Sequence, residues 1–158
     1  MATSRKNLSD LSAQDLPPVS DKKFGVVVSE WNQEVTESLY SGALDTLLKF
    51  GASKENIIRK NVPGSYELSL GAQWMAQIEE IDAVICLGCV IQGETPHFNF
   101  ISQSVAQGLK DVALKYNKTV VLGVLTVNTF IQALDRAGGK HGNKGDEAAM
   151  TALKMLGF

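Results

Sequence analysis

At 158 residues, 44% of them hydrophobic and 20% charged, the chain has the size of a single domain around a single core. It contains no apolar run of the ~20 residues a membrane span requires, and Met1 to Ser20 are polar and charged throughout, without the apolar stretch of a secretory signal. A formal net charge of -2 and a pI near 5.7 give no general attraction for nucleic acid, which leaves a small molecule as the expected ligand.

Residues 1–20 read as a flexible arm ending at Pro17-Pro18, and residues 21–158 as the domain. The first strand is Phe24 to Ser29. Asn32 is placed to cap a helix towards Phe50, in which Val35, Leu39, Ala43 and Leu47 recur every four residues, and Gly51 ends it. A second strand around Ile57 to Lys60 meets the turn Val62-Pro63-Gly64. A helix then starts near Ser65, with Leu68, Ala72 and Met75 on one side. Ala83 to Leu87 is the third strand. The helix from Pro96 to Tyr116 carries Ile101, Val105, Leu109, Val112 and Tyr116 on one face, and Thr119 to Leu125 is the fourth strand. Thr129 and Gln132 have the spacing of a capping box. After the loop Gly138 to Gly145 a last helix follows, with Asp146 and Glu147 set to complement its dipole. This alternation predicts a three-layer α/β sandwich: a mainly parallel four-stranded sheet of flavodoxin-like type, with helices on both faces.

Cys86 and Cys89 form a C-x-x-C pair that admits a redox or metal reading. Three residues of strand span roughly 10 Å, whereas a disulfide needs Cα atoms within about 7 Å. A turn at Gly88 would shorten the gap, but no second pair or histidine set accompanies it. Two reduced cysteines in a cytoplasmic enzyme is the reading retained.

Every candidate for chemistry falls at the carboxyl end of a strand or in the loop after it, where open α/β sheets hold their ligands. Gly88-Cys89-Val90-Ile91-Gln92-Gly93-Glu94-Thr95-Pro96-His97 leaves a strand and enters a helix. Thr95 can cap that helix, Pro96 suits its first position, and the free N–H groups there can hold a phosphate. His97, on the first turn, is either a proton carrier working near pH 7 or an imidazole packed on its own helix end. In Asn61-Val62-Pro63-Gly64-Ser65-Tyr66-Glu67, the Glu67 carboxylate either accepts polyol hydroxyls or serves the helix dipole. Trp31, in Glu30-Trp31-Asn32, either stacks on a flat heterocycle or packs. In the stretch Arg136 to Gly145, Arg136 offers a planar fork for a phosphate and Lys144 a point charge. His141, with no catalytic group to pair with, reads as a solvated loop residue.

Three segments carry a family resemblance: Val62-Pro63-Gly64-Ser65-Tyr66-Glu67, the run from Gly88 to His97, and Asp135-Arg136-Ala137-Gly138 followed by Gly142-Asn143-Lys144-Gly145. Together they resemble the lumazine synthase family, in order from about Phe24 to Leu156. The resemblance implies condensation of 5-amino-6-(D-ribitylamino)uracil with 3,4-dihydroxy-2-butanone 4-phosphate to 6,7-dimethyl-8-ribityllumazine, phosphate and water, the penultimate step of riboflavin biosynthesis. It implies no metal and no organic cofactor. By the same resemblance Trp31 stacks on the pyrimidine, Ser65, Tyr66 and Glu67 hold the ribityl chain and ring edge, and backbone groups of Cys89, Val90 and Ile91 bind the pyrimidine side. Glu94 and Thr95 meet the butanone phosphate, and His97 transfers protons. A neighbouring subunit supplies Leu122, Arg136 and Lys144, with Arg136 as phosphate clamp.

Trp31 and Tyr66 stand where the family often has Phe, Cys89 where Thr is common, and Leu122 where some members are aromatic. The resemblance also implies pentamers, which in some members close twelve at a time into an icosahedral shell; the short loop Gly138 to Gly145 resembles the shell-forming type. Two rival readings are a binder of the same fold without turnover and a phosphosugar isomerase or aldolase-like enzyme. The first has no need of His97, Arg136 and Glu67 together, and the second no use for the Trp31 and Tyr66 surfaces.

Overall fold

The computed structural model describes residues 16–158. At its centre is a four-stranded sheet in the order β2-β1-β3-β4, with β1 at Phe24–Ser29, β2 at Ile57–Val62, β3 at Ala83–Ile91 and β4 at Thr119–Val127. All three pairings are parallel: Phe24 faces Ile57 on one side and Ala83 on the other, and Ala83 faces Thr119. The two inner strands are near-continuous apolar runs because both their faces are covered. Their side chains alternate between two cores. Val26, Val28, Ile85 and Leu87 pack beneath α1 (Gln33–Lys49) and α5 (Lys144–Met155), while Val27, Val84 and Cys86 pack beneath α2 (Leu68–Ala76) and α3 (His97–Tyr116). The expected three-layer flavodoxin-like sandwich is therefore the observed one.

The helical repeats behave as their spacing requires: Val35, Leu39, Ala43 and Leu47 are buried on α1, as are Val105, Leu109 and Val112 on α3. Among the described residues no helix is long and apolar enough to cross a membrane. Residues 1–15 of the expected arm lie outside the described residues. From Leu16 the chain lies on the domain, with Val19 buried and the Ser20 carbonyl accepting from Ser53 Oγ at 3.2 Å and Asn56 Nδ2 at 3.3 Å.

Four local expectations change. Strands β3 and β4 run on to Ile91 and Val127 because they pair along that whole length. Gly88 does not break β3; a Cβ there would stand 2.7 Å from Ser65 Oγ and 2.9 Å from Leu68 Cδ1, so the glycine lets the start of α2 lie on the sheet. Asn32 does not cap α1. Its backbone is left-handed (φ 61°, ψ 46°), and its side-chain amide donates to the Cys89 carbonyl at 3.0 Å. The stretch after Arg136 is no open loop: Ala137–Gly139 (β5) and Gly142–Asn143 (β6) form a small antiparallel hairpin, with Gly142 at φ 77°, before α5 begins. The fourth change is at α4 (Phe130–Asp135). Thr129 Oγ1 accepts from the Gln132 amide at 3.2 Å as the box requires, but Gln132 Oε1 reaches back one residue further, to the Asn128 N–H at 2.8 Å.

The chain goes from β1 outward to β2 and then returns to place β3 on the other side of β1. The loops after β1 and β3 consequently diverge and leave a crevice at the carboxyl ends of the strands.

Candidate active site

That crevice is a cavity of about 580 Å³. Trp31 and Asn32 line it from the loop after β1, Gly64 to Glu67 from the loop after β2, Cys89 to Ile91 from the end of β3, and His97 and Ile101 from α3. Eight of the expected site residues, Trp31, Ser65, Tyr66, Glu67, Cys89, Val90, Ile91 and His97, thus converge from four separate stretches of chain. Trp31 and Tyr66 are exposed, at 73% and 57%. Large aromatic faces left open beside a cavity suit a flat heterocycle better than they suit the core.

The polar groups are held in place by the backbone around them. The Trp31 N–H donates to the Pro63 carbonyl at 3.1 Å and the Asn32 side chain to Cys89, so the loop after β1 is tied to both neighbouring strands. Glu67 Oε2 accepts the Gly64 N–H at 2.9 Å, which fixes the carboxylate and leaves Oε1 to a ligand. Ser65 Oγ and Ser29 Oγ are buried without a partner among the described residues, both close to the space a Gly88 side chain would fill. Unpaired buried hydroxyls call for a ligand or ordered water. Both cysteines are free and buried. Burial pushes the Cys89 thiol up to about 11 and Cys86 higher still, so neither is a thiolate near neutrality.

The start of α3 differs from the expected cap. Pro96 occupies the N-cap position, Thr95 makes no capping bond, and no side chain among the described residues takes the cap. The first-turn amides are therefore open to an anion in the Gly93–Thr95 turn. Glu94 and Thr95 are exposed in that turn but do not line the cavity.

The remaining expected residues lie elsewhere on the chain. Arg136 and Lys144 share a second concavity, of about 380 Å³, with His141, Glu147 and Val124 to Val127 of β4. Lys144 Nζ pairs with the buried Glu147 carboxylate at 2.8 Å. Leu122, 44% exposed on the same edge strand, lines a third hollow with Leu114, Met155 and Phe158. One chain alone thus holds the cavity and the cationic groups as separate features.

Residues 21–158 match the family model described as 6,7-dimethyl-8-ribityllumazine synthase. The chain is 62% identical over 156 residues to the protein of that name from Cytophaga hutchinsonii, covering 99% of this chain and 98% of the relative. It is 49% identical to that of Parabacteroides distasonis (100% and 99% covered) and 50% identical to that of Porphyromonas gingivalis (100% and 98%), each over 158 residues. The chain belongs to the 6,7-dimethyl-8-ribityllumazine synthase family.

Membership of the lumazine synthase family carries the expected enzyme class, a transferase of riboflavin biosynthesis. Asn32, Gly64 and Ile101 also line the cavity, and sequence reasoning gave none of them a site role; His141, read as a solvated loop residue, lines the second concavity. Ile101 lies one helical turn from His97, so the i, i+4 rule would have found it. Asn32 resembled an ordinary helix cap, and nothing in its local sequence announced a bond to Cys89, 57 residues on.

Proposed function

We propose that this chain condenses 5-amino-6-(D-ribitylamino)uracil with 3,4-dihydroxy-2-butanone 4-phosphate, releasing phosphate and water, in a site that a neighbouring subunit completes. The observation that carries this reading is the division of labour on one chain. A cavity with aromatic walls, polar floor and histidine faces one way, and Arg136 with Lys144 sits in a separate concavity. In this reading residues 21–158 are the catalytic domain, and the enzyme works in the cytoplasm. It needs no metal or organic cofactor. Leu122, exposed on β4 beside Leu114, Met155 and Phe158, supports a homo-oligomer, taken in this reading as a pentamer with closure into an icosahedral shell as the larger form.

Trp31 and Tyr66 offer flat surfaces to the pyrimidine. Ser65 Oγ and Glu67 Oε1 are free for ribityl hydroxyls, and backbone groups of Cys89, Val90 and Ile91 meet the ring edge, although Asn32 already occupies one lone pair of the Cys89 carbonyl. Glu94, Thr95 and the amides starting α3 face the phosphate, which the neighbour's Arg136 clamps, with Lys144 beside it paired to Glu147; Leu122 adds an apolar contact. The amine attacks the ketone, water leaves to give an imine, phosphate is eliminated, and ring closure loses a second water. Each step moves a proton, and His97 is the residue within the cavity suited to carry it. Such a carrier contributes typically 10²–10⁴-fold. Holding two substrates in alignment supplies ~7–11 kcal/mol, so His97→Ala retains slow turnover and Arg136→Ala mainly raises the KM of the phosphate substrate.

Mixing the two substrates with purified enzyme and following lumazine absorbance tests the activity; a rate no better than the spontaneous condensation overturns it. Co-expression of His97→Ala and Arg136→Ala chains tests the sharing. Random assembly across a head-to-tail interface leaves about a quarter of the sites with both residues intact. At phosphate-substrate concentrations well below the KM of Arg136→Ala, activity above that of either variant alone is expected, and its absence places each site within one chain.

A further inference from the structure

His141 has no part in the roles assigned above. With Lys140 it forms the tip of the β5–β6 hairpin, where Gly139 and Gly142 pair. Asp135, at the end of α4, anchors that tip twice: its carboxylate pairs with Lys140 Nζ at 2.9 Å, and its carbonyl accepts the His141 N–H at 2.8 Å. The tip is thereby held back on α4, and His141 lines the concavity that also holds Arg136.

The charges around it sum simply. Strand β4 contributes Val124, Leu125, Thr126 and Val127, none of which titrates. From α5 come Lys144 and Glu147, which neutralise each other at 2.8 Å. Beside the hairpin, Lys140 and Asp135 cancel likewise. Arg136 takes part in none of the ion pairs formed among the described residues. The uncompensated charge in the concavity is therefore that of Arg136, together with that of His141 whenever its ring is protonated. Imidazole is the side chain that ordinarily changes charge between about pH 5 and 8.

We propose that His141 is the pH-dependent half of an anion clamp whose permanent half is Arg136, and that it grips the phosphate monoester of the butanone substrate. The inference rests on that phosphate meeting Arg136. With the imidazole charged, two cationic donors face the anion; with it neutral, Arg136 supplies the charge alone.

The test is the KM for the phosphate substrate from pH 6 to pH 8 in the assembled enzyme, its His141→Asn and His141→Lys variants, and Arg136→Ala. Inorganic phosphate serves as a competitive inhibitor for a direct reading of anion affinity. The substrate's own phosphate ionises near pH 6 in every case, so the difference between enzymes isolates the imidazole. At pH 6, His141→Asn should show a KM and an inhibition constant about two- to fivefold above the unaltered enzyme, converging on it by pH 8, as suits an exposed charge pair. His141→Lys should keep both low across the range. A raised KM in Arg136→Ala beside an unaltered pH profile in His141→Asn overturns this inference alone. An unaltered KM in Arg136→Ala overturns the phosphate reading as well.

Discussion

Asn32 joins the two sides of the cavity with one side chain. Its left-handed backbone aims the amide at the Cys89 carbonyl, and the residue before it, Trp31, is the exposed aromatic wall. Asn32→Gly keeps the backbone conformation and removes the amide, whereas Asn32→Ala removes the amide and adds a left-handed penalty of about 1 kcal/mol or more. Both variants should raise the KM of the pyrimidine substrate, and Asn32→Ala should unfold at lower denaturant than Asn32→Gly. The chain has two tryptophans, so in a Trp74→Phe background the emission change on pyrimidine binding reports Trp31 alone and should shrink in Asn32→Gly. An unaltered KM and emission in Asn32→Gly would show that the Trp31 loop holds itself. At this scale the sequence revealed residues whose chemistry is local: the carboxylate of Glu67, the imidazole of His97, the indole of Trp31. It hid those whose partner is distant, Asn32 because its bond spans the sheet, and His141 because only the hairpin carries it to Arg136.

Among the elements, α5 shows how burial alters a charge that the sequence assigns to the helix dipole. Asp146 lies in its first turn, as a dipole-complementing acid should, yet it is packed against α1, where a Cβ on Gly42 would collide with its carboxylate. Burial, and then repulsion from Asp45 and Glu147, raise its carboxyl above the ordinary 3.8. A raised acid holds its proton more tightly in the folded state, so its contribution to stability is complete below 3.8 and is lost as pH rises through the folded value. Asp146→Asn should therefore raise the urea midpoint at pH 7 relative to the unaltered chain, and the gain should vanish near pH 3, by the same linkage. A midpoint at pH 7 equal to or lower than that of the unaltered chain would mean the dipole outweighs burial. The helices and the starts of the strands were readable from apolar spacing, because periodic burial is what makes them form. The strand ends were not: Gly88 and Cys89 have the look of a terminus, and only pairing with β4 carries β3 to Ile91. The hairpin was invisible for a related reason, since glycines and charges have no strand pattern of their own.

At the level of the whole molecule, the edge strand β4 exposes Leu122, and Leu114, Met155 and Phe158 stand around the same hollow. An open sheet edge flanked by apolar side chains is a surface other chains can cover. Leu122→Glu should yield a smaller species by light scattering, with unaltered far-UV circular dichroism and little lumazine formation. Retention of both the larger mass and the activity would move the interface away from β4.

The separation of the aromatic cavity from the concavity around Arg136 has a further consequence, which concerns counting. If each cavity borrows its cations from the next chain, an open row of subunits always carries one fewer working centre than it has chains, because the last cavity has no donor. Only a closed ring gives every chain a complete centre. Specific activity per chain would then climb with the length of an open row and reach its ceiling at the step that joins the two ends, so the stage of assembly could be read from turnover alone.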